Sequence, residues 1–152
     1  MGVAGCGKST VAARLAVALD CALIEGDDFH LPQSQHKMRH GIALDDADRW
    51  PWLDRLNGIL KQEKNAVVAC SALKEAYRRR LLAGISDCAI VYLRGSFALI
   101  RSRVEQRKHR YMPASLLQSQ FDALEPPASA IEVDVSQDVE ASLRTILEKL
   151  GA

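Results

Sequence analysis

Gly2-Val3-Ala4-Gly5-Cys6-Gly7-Lys8-Ser9 opens the chain and fits the pattern G-x-x-x-x-G-K-[ST] without a mismatch. Glycines at these places let backbone N–H groups curl around phosphate oxygens, and a following helix adds its positive end. In such a loop the lysine, here Lys8, reaches the β- and γ-phosphates of a nucleotide, and the hydroxyl of Ser9 ligates Mg²⁺. A glycine-rich turn that only caps a helix would account for the glycines but not for the Gly-Lys-Ser ending. The stretch therefore assigns nucleotide binding to Gly2, Gly5, Cys6, Gly7, Lys8 and Ser9, with Thr10 in the first helical turn beside the phosphates. Cys6 reads in two ways. It is either a thiol activated by Lys8 and the helix N-terminus or a small residue at a variable position.

Outward from the loop, helical patterns alternate with short apolar runs. Ser9–Leu19 carries Val11, Leu15 and Ala18 at helical spacing, and Ala22–Ile24 is a short strand that ends in Glu25-Gly26-Asp27-Asp28. Gln33–His40 reads as a helix stopped by Gly41, and a further amphipathic helix is expected behind Pro51, with Trp52, Leu53, Leu56, Ile59 and Leu60 on one face. Ala66–Cys70 and Ala89–Leu93 are continuous apolar strands. Leu73–Ala83 and Phe97–Val104 are helical, and Ile131–Val135 and Val139–Leu150 form the last strand and helix. Alternation of this kind, with strands that are apolar throughout, predicts a parallel sheet covered on both faces, a three-layer α/β fold.

The 152 residues fit one domain spanning 1–152. Hydrophobic residues make up 48% and charged residues 26%, a globular composition that excludes wholesale disorder. The net charge of +1 argues against a dedicated nucleic-acid binder, and no apolar run is long enough for a membrane span. A cytoplasmic protein without nucleic-acid or membrane partners is expected. The cysteines Cys6, Cys21, Cys70 and Cys88 form no C-x-x-C pair and are expected as reduced thiols, the last three in or beside apolar runs.

A phosphate loop alone leaves ATPase, GTPase and kinase open, and the absence of N-K-x-D disfavours a GTPase. Glu25-Gly26-Asp27-Asp28-Phe29-His30 follows the second strand, at the carboxyl edge where open α/β sheets bind ligands. A carboxylate there accepts a proton from an acceptor hydroxyl, holds the waters of a metal, or is simply a polar loop.

Six stretches resemble the gluconate kinase family of small P-loop kinases. They are GVAGCGKST at Gly2–Thr10, EGDDFH at Glu25–His30, KMRHGIALDDADRWPWL at Lys37–Leu53, ACSALKEAYRRRL at Ala69–Leu81, IVYLRG at Ile90–Gly95 and SRVEQRKHRYMPASLLQSQFDALEPP at Ser102–Pro127. The resemblance implies an adenylate-kinase-like fold that uses ATP and Mg²⁺ to phosphorylate the 6-hydroxyl of D-gluconate, and a homodimer. It implies catalytic roles for Lys8 and Asp27, the latter as the base or the group that orients the sugar hydroxyl. Kinases for another hydroxy acid such as shikimate, and a non-catalytic ATP-binding module, are the alternatives.

Gluconate carries one carboxylate, so its site needs cations. Arg49, Lys74 and Arg78 are the candidates, Lys74 and Arg78 because they stand four apart in an expected helix. His30 and Ser71 are further candidates at the sheet edge. Arg103, Arg107, Lys108 and Arg110 form a basic run around His109, expected in a lid of about residues 103–125 with Arg103 and Arg107 supplying charge to the phosphates.

The start of the loop carries a separate expectation. A phosphate loop is normally the exit of a buried strand of about five residues, yet only Met1 precedes Gly2. Met1 is accordingly expected to be an internal methionine. The 152-residue form is expected to have either a filled gap in its sheet or a distorted loop.

Overall fold

The computed structural model describes residues 1–106 and 113–152. The elements run α1 (Lys8–Ala18), β1 (Ala22–Glu25), a 3₁₀ turn (Gly26–Phe29), α2 (Pro32–Arg39), α3 (Asp46–Leu60), β2 (Ala66–Ala69), α4 (Glu75–Leu81), β3 (Val91–Arg94), α5 (Phe97–Glu105), α6 (Ala114–Ala123), β4 (Ile131–Asp134) and α7 (Val139–Leu150). The order and the parallel strands follow the expected alternation, with boundaries shifted by a residue or two at most ends.

One helix begins much earlier than Pro51 suggests. Asp45 caps α3 by accepting the N–H of Asp48, and the Asp48 carboxylate accepts the N–H of Asp45 in return. This reciprocal capping, worth about 1 kcal/mol, and the burial of Trp52, Leu53 and Leu56 together offset the cost of Pro51 inside the helix. Lys37 adds a bidentate ion pair to Asp48 at 2.7–2.8 Å, which fastens α2 to the start of α3.

The strands form two pairs rather than one continuous sheet. β1 lies parallel to β2 with Ala22 opposite Ala66, and β3 lies parallel to β4 with Val91 opposite Ile131. Each pair has its own core. Val11, Leu15, Ile100, Val104, Leu117, Val133 and Ile146 pack between α1, α5, α6, α7 and the β3–β4 pair. Ile24, Trp52, Leu53, Leu56, Tyr77 and Leu81 pack α3 and α4 against β1–β2. Between the two pairs, the Met1 amino group donates to Val91 O at 2.5 Å and the Met1 carbonyl accepts the Leu93 N–H at 3.0 Å. All four cysteines are free; Cys70 is buried, as expected of a small hydrophobe, Cys6 of the loop is buried too, but Cys88 is exposed and Cys21 half-buried.

Candidate active site

Left-handed backbone builds the phosphate loop. Gly5 (φ 88°) and Gly7 (φ 99°) hold conformations that an L side chain rarely adopts, and a Cβ at Gly5 would meet Val104 Cγ2 at 2.6 Å. In front of Gly7 the space is open, and no side chain caps the start of α1. The first-turn N–H groups of α1 thus face a cradle that suits an anion. Lys8 Nζ donates to Val3 O at 3.0 Å, which folds the ammonium back over the loop.

Beside the cradle lies a pair of oxygen groups. Ser9 Oγ donates to Glu25 Oε2 at 3.0 Å, joining the loop to the end of β1. A hydroxyl and a carboxylate are the hard oxygen donors that Mg²⁺ takes alongside phosphate oxygens and water. Among the described residues no group of three His, Cys, Asp or Glu side chains forms a self-sufficient metal cage. The donor set therefore fits a magnesium ion that arrives with a nucleotide.

Opposite the loop, the 3₁₀ turn presents Asp27. Trp52, fully buried in α3, donates Nε1–H to Gly26 O at 2.7 Å and so pins the start of this turn. The same indole stacks on His30 with ring centroids 4.1 Å apart. His30 is buried, and its Nε2 stands 3.9 Å from the half-exposed Asp27 carboxylate. Burial lowers the His30 pKa below the ordinary histidine value, against the opposing pull of Asp27.

A cavity of about 770 Å³ joins these groups. Gly5, Gly7, Lys8, Ser9, Thr10, Asp27, His30, Arg49, Ser71 and Lys74 all line it, so most of the residues chosen from sequence share one space. Lys74 Nζ binds Asp46 Oδ1 at 2.9 Å, and the Tyr77 hydroxyl donates to the same oxygen. These two contacts, the tyrosine's first, hold the Asp46 carboxyl below the usual carboxylate range, and the bond to Asp46 keeps Lys74 protonated to higher pH. Arg49 lies over the Tyr77 ring at 5.4 Å and donates to Leu44 O at 3.3 Å.

Four expectations need correction. Arg78 does not reach the cavity. Lys74 is the N-cap of α4 with extended backbone (φ −92°, ψ 151°), so Lys74 and Arg78 do not share a helical face. The Arg78 side chain is instead buried, donating to Ala72 O, Leu73 O and Glu75 Oε2. Arg103 donates to Val135 O at 2.6 Å and is likewise absent from the cavity wall. Cys6 is buried beneath the loop, which removes the reading of an accessible reactive thiol. Gly2 also lies behind the loop, its N–H donating to Ser71 O, and lines no part of the cavity. Arg107, with Lys108, His109 and Arg110, lies outside the described residues.

Sequence reasoning missed Asp46, Tyr77 and Gln120. Gln120 Oε1, on α6, accepts the Ala4 N–H at 2.7 Å and so touches the loop from the far side of the cavity. No local pattern marks it, because the partners are 116 residues apart. Asp46 carried a signal: it starts the helix in the Asp45–Asp48 capping run.

A family model described as an AAA domain matches residues 1–127. A probable gluconokinase of Mus musculus is 40% identical over 99% of this chain and 95% of its own length. The thermosensitive gluconokinase of Escherichia coli K12 is 37% identical over 91% of this chain and 79% of its own. A crystal structure of a gluconokinase from Sinorhizobium meliloti 1021 superposes with a TM-score of 0.92 at 41% identity, covering 99% of this chain and 89% of that one. Identity spread over almost the whole length, on a shared three-layer α/β framework with parallel strands, makes this chain a member of the gluconokinase family of P-loop kinases.

Proposed function

We propose that the protein transfers the γ-phosphoryl group of ATP to the 6-hydroxyl of D-gluconate, giving 6-phospho-D-gluconate. The observation that carries this reading is the meeting of a phosphate cradle, a carboxylate and a cation cluster in one cavity. The relatives named gluconokinase point to the same reaction.

Mg²⁺–ATP, when bound, supplies the phosphoryl group and neutralises its oxygens. The first-turn N–H groups of α1 and Lys8 hold the phosphates, Lys8 giving up its bond to Val3 O to do so. Ser9, with Glu25 beside it, would hold the metal. Asp27 accepts the proton of the 6-hydroxyl or orients it, a task that requires only hydrogen-bond reach. His30 stands 3.9 Å from the Asp27 carboxylate and, stacked on Trp52, packs beneath the turn that carries it. Lys74 and Arg49 take the gluconate carboxylate, and Ser71 takes a hydroxyl. Val104, Leu116, Ser119 and Gln120 line the cavity from α5 and α6, which supports a lid of about residues 103–125 within one domain of residues 1–152.

A coupled assay of ADP release over a panel of sugar acids and shikimate tests the reading. Gluconate should give the highest kcat/KM. Faster turnover of another acid would reassign the substrate, and nucleotide binding without turnover of any acid would make this a binding module. The same proposal includes a homodimer in the cytoplasm, the dimer being measurable by sedimentation. Among the described residues no helix is long and apolar enough to cross a membrane.

A further inference from the structure

Asp46 stands where α3 meets α4 on the acceptor side of the cavity. It opens α3, and two residues at the start of α4, Lys74 and Tyr77, donate to the same oxygen, Oδ1, the lysine at 2.9 Å. A carboxylate oxygen offers two lone-pair directions, and these two donors take both. The other oxygen, Oδ2, accepts from no group among the described residues. It is not hidden, because the Asp46 side chain is 52% exposed and lines the cavity. Fastening α3 to α4 uses Oδ1 alone. Helix capping does not use Asp46 either, since Asp45 and Asp48 form the reciprocal cap.

Tyr77 gives this arrangement its fixed form. The tyrosine is buried, and its ring packs edge-on against Trp50 with centroids 5.4 Å apart. Lys74 Nζ and the Arg49 guanidinium stand over the same ring, at 5.3 and 5.4 Å from its centroid. The tyrosine hydroxyl and the Lys74 ammonium keep the Asp46 carboxyl ionised, so Oδ2 is a charged acceptor at neutral pH. Lys74 gives Asp46 one of its three protons. The cavity wall therefore presents, side by side, an ammonium with donors to spare and a carboxylate oxygen that lacks one. A ligand carboxylate by itself satisfies the first and leaves the second stripped of water without a donor. A carboxylate with a hydroxyl on the adjacent carbon satisfies both.

We propose that Asp46 is a specificity-determining residue, whose Oδ2 accepts the hydroxyl on the carbon next to the substrate carboxylate. Lys74 and Asp46 together then read a 2-hydroxy acid rather than any carboxylate. The inference rests on gluconate as the acceptor and deepens that reading, because gluconate carries such a hydroxyl at C2. Proximity decides which hydroxyl is read. Asp46 Oδ1 is 2.9 Å from the ammonium that takes the carboxylate, so its other oxygen reaches the start of the carbon chain and not the far end, where Asp27 meets the 6-hydroxyl. Two contacts at one end also set the direction in which the chain runs towards the phosphate loop.

The test compares D-gluconate with 2-deoxy-D-gluconate, which lacks only that hydroxyl. Dissociation constants are measured by calorimetry, and ADP release by the coupled assay, for the unaltered protein, Asp46→Ala and Lys74→Ala. The unaltered protein should bind gluconate at least about tenfold more tightly than the deoxy acid. Asp46→Ala should bring that ratio below about threefold, whereas Lys74→Ala should weaken both acids and keep the ratio. Asp46→Asn, which puts a neutral acceptor in the same shape, should give an intermediate ratio. A merely structural role for Asp46 would weaken both acids alike and leave the ratio unchanged, and that result would overturn the proposal. A ratio near one in the unaltered protein would overturn it too, as would a ratio that collapses only with Lys74→Ala. If the ratio depends on Asp46 but gluconate releases no ADP, the kinase reading fails and the 2-hydroxy acid site stands. Failure to bind either acid would overturn both.

Discussion

The two sides of the cavity are held in different ways. On the loop side, each functional group rests on one partner nearby in the chain or one strand away, Lys8 on Val3 O and Ser9 on Glu25. On the acceptor side, Lys74, Tyr77, Arg49 and Asp46 form a single cluster in which the Asp46 carboxylate holds two of the others. A loop with single, replaceable contacts can exchange them for phosphate oxygens at little cost. A cluster built around one carboxylate fixes where its cations stand before substrate arrives, which favours recognition of a carboxylate over general attraction of anions.

The largest effect is expected where the loop side has least redundancy. Lys8→Ala should lower kcat by about 10²–10³-fold or more while the melting temperature changes little, because the residue's one structural bond is to a loop carbonyl. Near-normal turnover would remove Lys8 from the phosphates. Asp27→Asn comes next, with a loss of roughly 10²-fold in kcat and an almost unchanged KM for ATP. If the ATP KM rises instead, Asp27 belongs with Glu25 on the metal side. The acceptor side is separated by two substitutions. Lys74→Ala should raise the gluconate KM by about tenfold and leave the ATP KM alone. Arg78→Met should leave both constants nearly unchanged but cost about 3 kcal/mol of stability, since Ala72 O, Leu73 O and Glu75 lose a buried donor. A selective rise in gluconate KM for Arg78→Met would bring this arginine back to the substrate.

The same contrast governs what could be read from sequence. The loop is a local object: its glycines, lysine and serine need only their own spacing and a following helix, so G-x-x-x-x-G-K-S was sufficient. The alternation of elements was legible because buried parallel strands are apolar throughout. Arg78 was misread because its position was taken from helical spacing. The helix begins after Lys74, so the four-residue interval spans a cap and not a turn. The early start of α3 was hidden behind Pro51, although Asp45 and Asp48 carry the capping pattern. Gln120 could not have been found, since its contact with Ala4 depends on how α6 folds over the loop. Local chemistry was legible, and contacts made through tertiary packing were not.

The smallest predicted effect lies beneath the junction of the two sides, at the amino group of Met1. Burial is the main cause that lowers its pKa from 8.0 to about 6; Lys8 of the loop and the buried Arg78 push the same way, and Cys6 and Cys70 oppose them. Burial holds the Cys70 thiol up at about 11, so it stays protonated and neutral through this range. In the unfolded 152-residue chain the amine takes a proton as the pH falls through 8, while in the folded chain it does not until about 6. The unfolded state therefore binds more protons between these values, and stability must rise with pH across this window. The change amounts to about 2–3 kcal/mol between pH 6 and 8 for a difference of this size. Denaturant melts at pH 6, 7 and 8 measure it. His30, whose pKa burial also lowers, contributes with the same sign at the acid end, and acetylating the Met1 amine separates the two. Acetylation should flatten the slope between pH 7 and 8 and leave only the fall below the ordinary histidine range. An unchanged slope after acetylation would mean that the Met1 ammonium is solvated, and that Val91 O is not its partner.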